Sequence, residues 1–299
     1  MRRKQIILIG ILCLLSSLAF GQLKKRVAVM TFEDKTDQSY HWWDGRSPGD
    51  GMADMLTTAL VKSGNYTVIE RAEISKLLEE QNLGATGRVT EQSAAKIGQL
   101  LGVELAVMGA VTEFGNSKKD MGGSVKGFGL GVQKQKATVA VDIRIVNTST
   151  GEILAAETVR KEESKGGLSV STYEWSFKNE NDFDNSIVGK ATRAAIDEIS
   201  TLIQNQMENL PWSGKIIMVK GGVIYMKPGS DAGVKIGDKF VVYSKGEELI
   251  DPDTGISLGS VESKVGSIEV TSIIANGKAA QAKAVLGSNF NTGDMVRLK

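Results

Sequence analysis

Arg26-Val-Ala-Val-Met-Thr-Phe32 is apolar at every position except its first and sixth, which reads as a buried strand. A polar loop with an aromatic knot follows, Tyr40-His41-Trp42-Trp43. Pro48-Gly49-Asp50 then leads into a helix whose Met52, Met55, Leu56, Ala59 and Leu60 recur at the spacing of one apolar stripe. Ser63-Gly64-Asn65 ends that helix, and Tyr66 to Ile69 is a second strand. Ile74, Leu77 and Leu78 mark a short helix. Thr90 caps another helix carrying Ala94, Ile97 and Leu101, which Gly102 stops. Val103 to Val111 is a third strand. The order β-α-β-α-α-β predicts an α/β layer.

Further along, the pattern changes. Gly115 to Lys136 is rich in Gly and Lys and contains Gly127-Phe-Gly-Leu-Gly-Val132, apolar residues alternating with glycine. Thr138 to Val146 alternates strictly, with Val139, Val141, Ile143 and Ile145 on one face. Asn147-Thr-Ser-Thr-Gly151 is a turn, and Glu152 to Val159 returns, so a hairpin is expected. Arg160 to Asn185 is polar, with a Gly166-Gly167 tip and an alternation of Tyr173, Trp175 and Phe177. A long amphipathic helix from about Ser186 to Asn209 carries Val188, Ala191, Ala195, Ile199, Leu202 and Ile203 on one side.

Pro211-Trp-Ser-Gly214 is the best linker in the chain. Beyond it lie six strand-like segments: Lys215 to Lys220, Val223 to Met226, Lys239 to Tyr243, Val265 to Ile274, Lys278 to Ala284 and Met295 to Leu298. Turns at Pro228-Gly229, Gly237-Asp238, Asp251-Pro-Asp-Thr-Gly255 and Asn276-Gly277 separate them. Short strands at this density predict a small all-β, SH3-like barrel over 215–299.

The chain has 299 residues with 36 Lys and Arg against 35 Asp and Glu. This balance gives no electrostatic case for nucleic acid. Arg2-Arg-Lys4, the apolar Ile6 to Leu15 and Ala19-Phe-Gly21 form a secretory leader over 1–21. The apolar run falls short of the roughly 20 residues that a spanning helix needs, so export with cleavage before Gln22 is expected over a membrane anchor. Cys13 follows Ile11-Leu12 in place of a small residue, and lipidation there is not expected. Because Cys13 is the only cysteine, the exported chain would rely on its hydrophobic core and on no disulfide.

Catalytic apparatus is scarce. One His and no mature Cys exclude a two-His metal site or a Cys nucleophile within one subunit. His41, between Tyr40 and Trp42, reads as a solvated or stacking loop residue. No phosphate-binding loop exists, and Gly127-x-Gly129-x-Gly131 lacks dinucleotide spacing. Asp251-Pro-Asp253-Thr-Gly255 lacks the later ligands of a calcium loop and reads as a type I turn. No catalytic residue, cofactor or metal is expected. Tyr40, Trp42 and Trp43 are the residues whose apolar area needs explaining. They either fold back on their own subunit or contact a neighbour, a partner or a passing polypeptide.

Several segments together resemble the CsgG/HfaB family: Arg26 to Phe32, Met52-Ala-Asp-Met-Leu-Thr-Thr-Ala-Leu60, Val68-Ile-Glu-Arg71, Leu77-Leu-Glu-Glu-Gln81, Gly109-x-Val111-Thr-Glu113 and Val146-Asn-Thr-Ser-Thr-Gly-Glu-Ile-Leu154. Pro228 to Tyr243 is more loosely similar to the C-terminal β-domain of the flagellar assembly protein FlgT. The resemblance implies a non-enzymatic α/β (α+β) periplasmic domain over 22–210 that forms a homo-oligomeric ring and sends two β-hairpins toward the outer membrane. They would fall near 115–136 and 160–185, with a linker at 211–214. It implies secreted or fibre-forming protein clients, and it makes Tyr40, Trp42 and Trp43 pore-constriction or oligomer-contact residues. The sequence departs from the family in its missing lipobox cysteine, its added β-domain and its charged Arg160-Lys-Glu-Glu-Ser-Lys165. A soluble periplasmic scaffold of an envelope machine, such as the flagellar motor, is the alternative reading.

Overall fold

The computed structural model describes residues 23–36, 45–69, 102–121, 132–167, 177, 179–250, 252 and 257–298. The expected helices around Ile74 and Ala94 lie outside these residues, as does most of the Asp251-to-Gly255 turn. Contacts divide the chain into two compact units. One comprises Lys25–Ser213 with Lys245–Ser263, and the other is built on Gly214–Ser244 and Lys264–Lys299.

The first unit is a mixed α/β layer. Strand β1 (Lys25–Val29) lies between β3 (Tyr66–Ile69) and β4 (Leu105–Met121), parallel to both. Strand β2 (Glu33–Asp34) pairs with β4 at Ala110 and Val111. Strands β5 (Val132–Asn147) and β6 (Ile153–Gly167) continue the sheet antiparallel, in the order β3-β1-β4-β5-β6. Among the described residues, its helices are α1 (Pro48–Ser63), α2 (Glu180–Asn185) and α3 (Ile187–Asn209).

Local sequence accounts for both long helices. Ser47 caps α1 by accepting the Asp50 N–H at 3.1 Å, and Pro48 supplies a pre-set φ in the first turn. Gly64 closes the helix at φ 70°, where a side chain would be strained. Met52, Leu56 and Leu60 from the expected stripe are fully buried, each contributing about 1.5–3 kcal/mol by leaving water. Ser186 caps α3 through the Gly189 N–H at 2.9 Å, and Val188, Ala191, Ala195, Ile199 and Ile203 join the core. Gly49 has a packing reason: a Cβ there would come 2.3 Å from the Phe32 carbonyl oxygen, so only glycine lets α1 start this close to β2.

The central strands are far longer than the core requires. At about 3.3 Å per residue, the 17 residues of β4 span roughly 55 Å. Among the described side chains, the last buried ones along the three strands are Phe114, Ala137 and Val159. Past them, Gly115–Met121, Val132–Lys136 and Arg160–Gly167 run on as a three-stranded neck. The regions expected as hairpin insertions therefore begin as direct extensions of core strands. Glu180–Asn185 is a helix, with Phe183 fully buried and Phe177 meeting it edge-on at 5.0 Å. In the segment expected as the linker, Trp212 is buried and Ser213 opens β7, and the two compact units divide between Ser213 and Gly214.

The second unit is a closed six-stranded barrel, ordered β10-β11-β8-β7-β12-β9. Its strands are β7 (Ser213–Lys220), β8 (Val223–Lys227), β9 (Lys239–Ile250), β10 (Ser257–Ile274), β11 (Ala279–Leu286) and β12 (Met295–Leu298). Ile216, Ile224, Met226, Phe240, Val242, Ile268, Val270, Ala280, Ala282 and Val296 are buried. Closure leaves no free edge for a stray strand. All six segments expected from sequence are strands here, although β9 and β10 run well past their expected ends.

Candidate functional site

The aromatic residues singled out from sequence, Tyr40, Trp42 and Trp43, lie outside the described residues. The frame holding their loop is well defined. On its entry side, β2 pairs with β4 and the Lys35 N–H donates to the Val111 carbonyl at 2.9 Å. Asp34 then folds the chain by accepting both the Thr36 N–H at 3.0 Å and the Thr36 hydroxyl at 2.7 Å. On its exit side, Arg46 pairs with Asp54 of α1, and Ser47 is the helix cap. The described residues on either side of 37–44 are thus fixed, to a sheet before it and to a capped helix after it.

The neck is the second element. Its described part is polar but charge-matched near the core. Arg160 reaches Glu113 at 2.5 Å and Glu162 at 3.3 Å, and Lys136 reaches Glu162 at 2.7 Å. Lys161 pairs with Glu198 of α3. The Lys136 hydrogen bond is the main cause holding the Glu162 carboxyl below its usual range. Sequence reading missed this organisation because the residues do not alternate. What signal existed lay in the mixed charges of Arg160-Lys-Glu-Glu, which suit ion pairs across strands.

A third feature is the buried Glu104 at the foot of the sheet. Its carboxylate accepts the Arg26 N–H at 2.7 Å and the Ser213 hydroxyl at 3.5 Å. Burial pushes its carboxyl from 4.5 up to about 7, while the Arg26 N–H and charge partly oppose this. Nearby, Lys25 donates to the Met207 carbonyl near the end of α3, a helix with no basic residue in its own last turn. Burial lowers the Lys25 ammonium pKa, opposed by Glu104 and Glu208, and burial with Glu208 raises that of Tyr66. The signal for Glu104 was one acid inside the apolar run Val103-Glu-Leu-Ala-Val107. This corner is sealed by backbone, so it reads as a structural lock. Among the described residues, no group of three or more His, Cys, Asp or Glu is placed to hold a metal.

Residues 13–215 match the family model described as "Curli production assembly/transport component CsgG". The protein of that name from Salmonella typhimurium is 31% identical over 113 residues, 36% of this chain and 41% of its own length. The Escherichia coli K12 protein shows the same identity and coverage. This chain thus spans less than half the length of these curated relatives. The solved structure of the hypothetical protein CT253 from Chlamydia trachomatis aligns over 61% of this chain and 96% of its own, at 15% identity and TM-score 0.40. That likeness is too low to carry an argument.

Proposed function

The chain belongs to the CsgG family, and from that premise we propose that it is a non-enzymatic, ring-forming subunit exported to the periplasm and associated with the outer membrane. There it assists secretion or assembly of curli-like surface fibres. One observation carries the reading: the family match spans all of Lys25–Ser213 in the α/β unit, including the core strands that continue into the neck. In this reading 1–21 is the leader, and the segments between β4 and β5 and after β6 carry the hairpin ends toward the membrane. Tyr40, Trp42 and Trp43 converge on the ring axis as a constriction. Aromatic rings suit this because they are stiff and broad while Tyr and Trp keep a polar group for water. The C-terminal barrel acts as an SH3-like docking module. The proposed partners are copies of the chain and secreted protein clients, with no nucleic acid and no cofactor.

Fractionation with a carbonate wash tests the placement, and sedimentation in detergent tests the ring. The expected results are retention in the outer-membrane fraction and a discrete oligomer. Monomer alone across micromolar concentrations sinks the proposal. Replacing Tyr40, Trp42 and Trp43 together by Ala should raise single-channel conductance in planar bilayers with little change in melting temperature. Buried aromatics would instead cost about 3–5 kcal/mol each. A second reading, a soluble periplasmic scaffold, is favoured by the exposed charges Arg160, Glu162 and Lys165 on β6. Each basic side chain facing mid-bilayer lipid would cost about 2–4 kcal/mol. Release of the protein by carbonate would select that reading.

A further inference from the structure

We infer that the outer face of the barrel around Tyr225 binds an extended acidic polypeptide, with a carboxylate at each end of the contact and an apolar side chain between them. This rests on the docking role proposed for the barrel and gives that role a face and a partner. Positive charge is concentrated in the barrel: 214–244 and 264–299 hold ten Lys and Arg against four Asp and Glu, whereas the whole chain balances 36 against 35. A surplus of this size draws anionic partners.

Cross-strand register arranges part of that charge. Ile216, Ile224, Met226, Ala280 and Ala282 are buried inside the barrel, so the residues that alternate with them on β8 and β11 face outward. Along β8 the outward rows are Lys215 opposite Lys227, then Met218, Tyr225 and Gln281, then Lys220, Val223 and Lys283. A bulge between Ile216 and Met218 lets Met218 share the outer face with Lys215 despite their odd spacing. Lys215, Lys220 and Lys283 are exposed, and Met218 is 41% exposed. Lys283 lies 3.7 Å from Glu269 on β10, at the border of the face. Among the described residues, no ion pair joins Lys215 or Lys220 to an acid.

The spacing of the rows selects the partner. From Lys227 to Val223 along β8 is about 13 Å at 3.3 Å per residue. An extended polypeptide repeats its side chains on one face every two residues, so acids at i and i+4 reach the two lysine rows. The side chain at i+2 then meets Met218 and Tyr225, an adaptable thioether beside a stiff ring with a polar tip. Lys220 and Lys283 stand on the strands either side of Val223, so a chain lying along β8 has a cation on each flank. A nucleic acid carries charge along its whole length, but the middle row has no cation. A lipid surface calls for apolar side chains that reach beyond the cations, whereas Met218 and Tyr225 lie between them.

Fluorescence polarisation of the full purified chain with a labelled peptide containing Glu-Ser-Phe-Ser-Glu tests this. Binding that weakens as salt rises is expected. The variant K215Q/K220Q/K283Q should lose about ten-fold in affinity, the loss of three surface ion pairs. K215R/K220R/K283R should bind like the parent, which separates charge from misfolding. M218S should weaken binding of this peptide and leave that of a Glu-Ser-Ser-Ser-Glu peptide unchanged. A Gln variant that binds like the parent overturns this face and leaves the docking role of the barrel standing. Equal binding of the Phe and Ser peptides to the parent removes the matched middle row and overturns the proposal. A parent that binds neither peptide overturns both the face and the docking role beneath it. Tighter binding to phosphatidylglycerol vesicles or to oligothymidylate than to the Phe peptide, lost in the Gln variant, assigns the face to lipid or nucleic acid and also overturns the proposal.

Discussion

The inner and outer halves of β5 are one continuous strand held by one hydrogen-bond ladder, yet they are built on different chemistry. In the inner half, Val139, Val141, Ile143 and Ile145 are buried, while Asp142 and Arg144 between them are exposed. In the outer half, Gln133, Lys134, Gln135 and Lys136 give no apolar face at all. The pairing with β4 and β6 nonetheless continues from Val146 out to Gln133, shifted only by one bulge on each side. The difference shows that pairing on both sides can carry a strand beyond the core. The inner half fixes register through burial, and the outer half inherits it.

The largest expected contrast is between two truncations on this strand. Ile143→Ala should cost about 2–5 kcal/mol, because it opens a cavity among packed side chains. Gln135→Ala in the neck should cost about 0.5 kcal/mol or less, as at an ordinary surface site. Denaturant unfolding of both variants checks this, and similar losses would mean that the neck has a hidden core.

Next in size is a pH effect at the foot of the sheet. A carboxyl held at about 7 when folded binds its proton more tightly than in the unfolded chain. Its contribution to stability is therefore greatest below pH 4.5 and falls as pH rises through 7, by about 3 kcal/mol at most. Glu104→Gln keeps an acceptor for the Arg26 N–H and cannot ionise. It should remove this slope and stabilise the protein at pH 8, as read from melting curves between pH 5 and 8. Unchanged pH dependence would show that Glu104 is not the titrating group.

A smaller loss, about 1 kcal/mol, is expected for Ser47→Ala, which removes the α1 cap beside the aromatic loop. Ser47→Asp should restore it. The smallest effect belongs to the neck: Glu162→Gln should barely move the melting temperature at low salt and not at all at high salt, because exposed pairs are screened.

Much of the fold was legible in the sequence where periodicity and punctuation agree. The apolar stripe of α1 between Ser47 and Gly64, the stripe of α3, the alternation of β5 and the six barrel segments each follow from neighbours along the chain. The site was less legible. Tyr40, Trp42 and Trp43 were marked by composition, and the structure adds the clamps at Asp34 and Ser47. Glu104 was missed because no local pattern shows that Arg26 and Ser213, distant in sequence, close around it.

What the sequence determined by itself is therefore the set of elements whose signal is local: capped helices with one apolar face, strands with period two, and turns rich in glycine and asparagine. Tertiary structure alone decided where the strands end. Gly115–Met121 and Arg160–Gly167 have poor strand composition, but β5 lies between their strands and satisfies their backbone groups. It also decided which way Phe114 points. A bulge between Val111 and Glu113 adds one residue to β4, so Val111 and Phe114 both reach the core despite an odd spacing that simple alternation forbids. The physical reason is common to both cases: a strand's partners come from distant sequence, and only their register says which residues are paired, buried or left to face solvent.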